Sequence, residues 1–172
     1  MTDWTAPPAN RVTEPQTGPE RVMLQGWLDW HRQTLLSKCA GLTADQLKTA
    51  SVEPSNLTLL GLLRHMTLVE RSWFRRRAAG TDIPDIYVTD DNVDGDFDDV
   101  AGADAEADHA AYLTELTEVD KAMAAIPLDL EFESRGAPMS VRWVYLHLIE
   151  EYARHNGHAD FLRERIDGTT GD

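Results

Sequence analysis

Between Ser140 and Gly168 the chain places His147, Glu151, His155 and His158 at steps of four, four and three residues. On a helix turning about 100° per residue, with His147 at the origin, Glu151 falls near about 40°, His155 near about 80° and His158 near about 20°. Arg154 joins the same stripe at about −20°, and Trp143, Val144, Phe161 and Leu162 flank it. Imidazoles and a carboxylate are costly to bury among apolar neighbours unless a partner satisfies them. A metal ion is the obvious partner, since it accepts both donor types.

A catalytic metal site needs three protein ligands and one open position. Glu151 and His155, one turn apart, have the spacing that lets two side chains clasp one ion. His65 lies in the middle of an apolar helical face with Gly61, Leu62, Val69, Ser72 and Trp73. The small Gly61 and Ser72 leave room beside it for a neighbouring helix or a ligand, so His65 would complete a His-Glu-His set. Mixed nitrogen and oxygen donors suit zinc, nickel or iron rather than calcium or magnesium. His147 fits equally well one turn outside such a site, and His158 fits either a hydrogen-bonding neighbour or a replacement ligand. Arg154 has Glu150 and Glu151 as pairing partners. The same residues also fit a metal-free protein whose histidines satisfy one another.

Other chemistry is weakly signalled. Cys39 lies near the C-terminal end of a helix, where the dipole raises a thiol pKa, so a buried structural cysteine is expected. Asp90, Asn92, Asp94 and Gly95 follow part of a calcium-loop pattern, but Ala101 stands where a bidentate Glu is needed. A solvated acidic loop is the expectation there. No glycine-rich phosphate loop, G-x-S-x-G elbow or paired CxxC motif is present.

The elements that must position these residues are helical. Pro19 and Glu20 open a first helix that Gly41 closes. Its face of Leu24, Trp27, Leu28, His31, Leu35 and Lys38 is mostly core. Residues 42–56 form a connection, with a capped helical turn at Thr43–Gln46. A second helix spans 57–80, with Ser55 or Asn56 as its N-cap and Arg75, Arg76 and Arg77 at its C-terminal end. Residues 81–103 form a long acidic loop. A third helix starts near Asp104 and stops before Pro127, with His109 expected as a surface histidine. Residues 128–139 suggest a short hairpin or an irregular loop. Ser140 then caps the fourth helix, and Gly168 ends it.

The prediction is an all-α four-helix bundle in one domain spanning 19–172, preceded by a flexible Pro- and Thr-rich arm at 1–18 with Trp4 as its anchor. The 172 residues suffice for one core. A formal net charge of −14 argues against nucleic acid and anionic membrane surfaces. A single cysteine excludes an internal disulfide and fits a reducing compartment. No apolar run reaches the ~20 residues of a membrane helix. The first residues lack a signal-peptide pattern. A cytoplasmic protein is expected.

At WLDWHRQTLLSKCAGL, LTLLGLLRHMTLVERSWF and HLIEEYARHNGHADFLRERIDG the chain resembles the DinB-like metal-binding helical bundles, over about Glu20 to Gly168. Within them it is most similar to an uncharacterised branch near the mycothiol-dependent maleylpyruvate isomerases. The resemblance implies an up-down-down-up bundle, which agrees with the long acidic loop between helices two and three. It implies one ligand on helix two, matched by His65, and two on helix four within a pattern resembling HxxxHRGQ. Here that pattern reads EYARHNGH, so the ligands are Glu151 and His155. A glutamate at the first position is what the isomerase branch shows. His158 replaces the pattern's Gln. The resemblance further implies a divalent metal, zinc or nickel, and a low-molecular-weight thiol co-substrate aimed at an electrophilic small molecule. The isomerase carries a further C-terminal domain, so its substrate does not carry over. A metal-dependent thiol S-transferase or hydrolase is the leading expectation, and a non-enzymatic metal- or small-ligand-binding module is the rival. Bundles of this kind often pair through outer helix faces, which makes a homodimer one expected assembly.

Overall fold

The computed structural model describes residues 4–171. They are mostly helical, with one two-stranded antiparallel sheet. Helix α1 is Glu20–Cys39, α2 is Ala44–Leu47 and α3 is Leu59–Glu70, which continues as a π-helical stretch at Arg71–Ala78. Helix α4 is Gly95–Asp98, followed by a 3₁₀ turn at Val100–Gly102 and by α5 at Ala105–Met123. Strands β1 (Glu131–Ser134) and β2 (Ala137–Ser140) lead into α6 at Val141–Asp167. Helix α1 packs along α6, and α3 along α5.

Local chemistry explains most boundaries. The Ser140 hydroxyl accepts from the Trp143 N–H at 3.2 Å, and Gly168, at φ 78°, donates its N–H to the Glu164 carbonyl. Asp104 caps α5 through the Ala107 N–H, and Thr43 with Gln46 forms a capping box on α2. Helix α3 begins later than expected. Thr58 is its cap, accepting from the Gly61 N–H at 2.9 Å, because the Ser55 hydroxyl is engaged by the Leu57 N–H in the preceding turn.

The single helix expected over 57–80 also changes register after Glu70. The Ala79 N–H reaches the Phe74 carbonyl five residues back, at 2.8 Å. The widened stretch holds Trp73 and Phe74 inward while Arg71 and Arg75 both reach Glu115, each at 3.0 Å. Those charge-assisted bonds to a buried carboxylate offset the poorer π-helical geometry.

The centre of the molecule is apolar around one polar knot. Leu28 and Leu35 of α1, Leu62 and Met66 of α3, Tyr112 of α5 and Leu148 of α6 are all inaccessible. Glu70, also inaccessible, accepts from Arg32 Nε and Nη2 at 2.7 and 2.8 Å and from the Tyr152 hydroxyl at 2.9 Å. A buried carboxylate is tolerable only with such full pairing.

Residues 4–10 of the segment expected as an arm lie against the helices. Ala6 exchanges backbone hydrogen bonds with Leu42 and Gly41 at 2.9 and 2.8 Å. Trp4 sets its ring against His109, 5.9 Å between centroids. His109 is therefore buried rather than a surface histidine, because a distant segment covers it.

The acidic connection is folded onto the helices and is not a wholly solvated loop. Arg64 donates to the Asp96 and Gly95 carbonyls and to the Asp108 carboxylate, each at 3.0 Å, and its guanidinium lies 4.1 Å over the Tyr87 ring. Gly95 suits this close approach, since a Cβ there would meet the Tyr87 carbonyl at 2.4 Å. Asp90, Asp91, Asp94 and Asp98 stay exposed, whereas Asp96 is 3% exposed.

Candidate metal centre

His65 projects from the middle of α3 towards α6, where Glu151 and His155 sit one turn apart. One ligand atom from each of the three lies within 4.8 Å of the others. His155 Nε2 is 3.5 Å from Glu151 Oε2, and the His65 and His155 rings meet edge to face at 4.7 Å.

Each imidazole already uses its Nδ1. His65 Nδ1 is 2.7 Å from Asp96 Oδ2, and Phe97 stacks on the same ring at 4.9 Å. His155 Nδ1 is 3.3 Å from His158 Nδ1. A carboxylate on Nδ1 fixes the tautomer and raises the basicity of Nε2, as partners behind metal-bound histidines do. Burial, with His65 and His158 adding to it, pushes the His155 pKa down to about 3. His155 is thus a neutral imidazole with a lone pair to give at neutral pH.

The donor set fits a small divalent ion. Bonds of about 2.1 Å in a tetrahedral arrangement put ligand atoms about 3.4 Å apart, close to the His155–Glu151 separation. Two imidazoles and one carboxylate form a zinc- or nickel-type set.

His147 belongs to a different group. Its Nε2 is 3.6 Å from Glu151 Oε1 and its Nδ1 is 3.8 Å from Glu150 Oε2. Its ring stacks on Trp143 at 4.8 Å and meets Trp73 edge-on at 4.9 Å. Burial lowers its pKa, against the opposing pull of Glu151 and Glu150. His147, Glu150 and Glu151 also bring ligand atoms together, but Arg154 pairs with Glu150 and approaches Glu151 Oε2 at 3.7 Å. That positive charge competes with a second cation.

Asp96 and Arg64 are absent from the sequence-level set. Asp96 is separated from His65 by 31 positions and lies in a run of aspartates that burial alone tells apart. Cys39 is inaccessible, with its thiol pushed up to about 12 by burial against the opposing charge of Arg163. Burial, more than the helix dipole, makes it inert. A separate cleft of about 530 Å³ is lined by residues that include Arg21, Gln25, Asp29 and Tyr145. Its polar side chains are engaged with one another, and no imidazole lines it.

No described helix is long and apolar enough to cross a membrane. The model of a family described as mycothiol-S-transferase matches residues 23–168. No match was found among curated proteins or among solved structures.

Proposed function

The chain belongs to the mycothiol-S-transferase family, within the DinB-like superfamily, and on that premise we propose a metal-dependent S-transferase that joins a low-molecular-weight thiol to an electrophilic small molecule. The observation that carries this reading is the convergence of His65, Glu151 and His155 within 4.8 Å, with each imidazole oriented through its Nδ1. Zinc or nickel would be held by these three residues. When bound, such an ion supplies an acceptor for the thiol sulfur and lowers the thiol pKa.

The residues around it do the rest. Asp96 and Phe97 hold the His65 ring in place, and His158 orients His155. His147, kept neutral by burial, stands at the second oxygen of Glu151 and takes up the proton released by the thiol. Glu151 steadies the imidazolium so formed. The sulfur then forms a new bond to the electrophilic carbon, and the His147 proton goes to the leaving group or adduct. Mycothiol, the thiol in the family's name, is the proposed co-substrate. A thiol pool implies a reducing cytoplasm, which suits a chain whose lone cysteine is buried and unpaired.

Family membership also supports reading α1, α3, α5 and α6 as an up-down-down-up four-helix bundle in one domain. The long folded connection before α5 supplies the crossover such a course requires.

The test is turnover of an electrophilic aryl halide by metal-loaded protein across a thiol panel of mycothiol, cysteine, glutathione and coenzyme A. The expected result is adduct formation that needs both metal and thiol and that fails in His155→Ala. No adduct with any thiol, in protein carrying its metal, would overturn the transferase in favour of a binding module.

A further inference from the structure

Glu151 presents its two carboxylate oxygens to two different imidazoles. Oε2 lies 3.5 Å from His155 Nε2, on the side of the candidate metal centre, and Oε1 lies 3.6 Å from His147 Nε2. Glu150 adds a third donor beside His147, since residues three and four apart on a helix are neighbours. One ligand atom each from His147, Glu150 and Glu151 comes within 4.8 Å of the others. Ligand atoms on one small divalent ion stand about 3.4 Å apart, so modest side-chain rotations close this group around a cation.

Its donors are unequally held. Trp143, stacked at 4.8 Å, and Trp73, edge-on at 4.9 Å, fix the His147 ring. The Glu150 side chain is 50% exposed and has room to turn. The counter-ion of the group is Arg154, which pairs with Glu150 and stands 3.7 Å from Glu151 Oε2. Its own side chain is 54% exposed, and an ion pair so open to water is weak. A divalent ion brings twice the charge to the same oxygens and takes the imidazole lone pair as well. The formal net charge of −14 draws cations towards the chain as a whole.

We propose that His147, Glu150 and Glu151 form a second, weaker site for a zinc-type ion, bridged to the first by Glu151, and that filling it switches the transferase off. Paired catalytic ions commonly stand about 3.5–4 Å apart, a separation that one carboxylate spans. The second ion binds more weakly because the first repels it and because Arg154 has to move aside. Inhibition rests on the S-transferase reading, in which His147 takes the thiol proton. An imidazole nitrogen bound to zinc has no lone pair left for that proton. Binding of the second ion does not rest on that reading.

The probe is zinc alone. The full chain is dialysed against a zinc series with excess magnesium, which masks scattered surface carboxylates, and bound zinc is counted. Two equivalents are expected, one tight and one that gel filtration removes, so the purified protein carries one. Glu150→Gln should keep the first and weaken the second at least about ten-fold, the least that losing even an outer partner of a ligand costs. Arg154→Ala should strengthen the second by about two- to five-fold, the factor an exposed ion pair is worth. Both side chains are half exposed, so these variants keep the fold, and melting temperatures check this. Saturation at one equivalent, or a second equivalent that Glu150→Gln leaves unchanged, would overturn the site.

Adduct formation is followed along the same series. It should fall as the second equivalent binds, recover when a chelator removes it, and resist excess zinc in Glu150→Gln. Undiminished turnover with both equivalents bound would overturn the inhibitory role. Equal inhibition of parent and variant would do the same, by placing the zinc on the free thiol. Absence of the first equivalent sinks the candidate metal centre itself. Two equivalents without turnover at any zinc level sink the transferase and leave the second site standing.

Discussion

Replacing Asp96 with Asn isolates what a carboxylate from the acidic connection does for a histidine on α3. Asp96 is 3% exposed, and its Oδ2 lies 2.7 Å from His65 Nδ1. Asn retains the shape and one acceptor oxygen, so the ring keeps its neighbour but loses the negative charge that raises the electron density at Nε2. The loop itself should stay docked, because Arg64 holds it through the Asp96 and Gly95 carbonyls. Removing the partner behind a metal-bound histidine costs about 10- to 100-fold in metal affinity, or roughly 1.4–2.7 kcal/mol. The assay is competition for zinc against a chromophoric chelator at pH 7.5, with the metal-free melting temperature recorded alongside. An Asp96→Asn affinity within a factor of two of the parent would refute the reasoning. So would a loss of affinity fully accounted for by a lower metal-free melting temperature, since the aspartate would then act on the fold and not on the ligand.

Other outcomes follow from the same geometry. Arg64→Leu removes three hydrogen bonds and the Tyr87 contact and strands Asp108, so a loss of about 3–5 kcal/mol is expected in urea unfolding. Hydrogen exchange should rise first over residues 85–100, and uniform exchange across the chain would count against a stapled loop. Glu70→Ala leaves Arg32 buried without its bidentate partner and is expected to cost about 3–5 kcal/mol, whereas a change below about 1 kcal/mol would mean that water takes over the pairing. Burial lowers the pKa of His109 below the ordinary 6.5. Its neutral form is then favoured by folding, and its contribution is complete above pH 6.5 and lost as the pH falls from there towards the lower folded value. Melting curves of His109→Phe should therefore show a shallower decline on acidification than the parent, and parallel curves would remove His109 from the acid response.

Local physics made part of this structure readable in advance. The four-residue spacing of Glu151 and His155 sets them one turn apart on a helix, and they stand 3.5 Å apart across one face of α6. Ser140, Asp104 and Gly168 work as helix boundaries because capping depends on residues within three or four positions. The rest depends on contacts that no window of sequence contains. Asp96 differs from Asp90, Asp94 and Asp98 because Arg64 binds its backbone carbonyl and His65 its carboxylate. His109 is buried because Trp4, from a segment without periodicity, lies on it. The π-helical stretch after Glu70 leaves the apolar pattern intact, and its register follows from what Arg71, Arg75 and Glu115 gain by meeting. Arg135 looks like a solvated turn residue until Trp73, remote in the chain, is placed beneath it.

If His65, Glu151 and His155 hold a divalent ion together, elemental analysis of protein purified without a histidine tag settles it most directly. The expected result is about one zinc or nickel per chain, falling to a trace in His65→Ala while that variant remains folded by circular dichroism. A substoichiometric metal content in the parent after incubation with either ion, or a full equivalent retained by His65→Ala, would contradict the proposed centre.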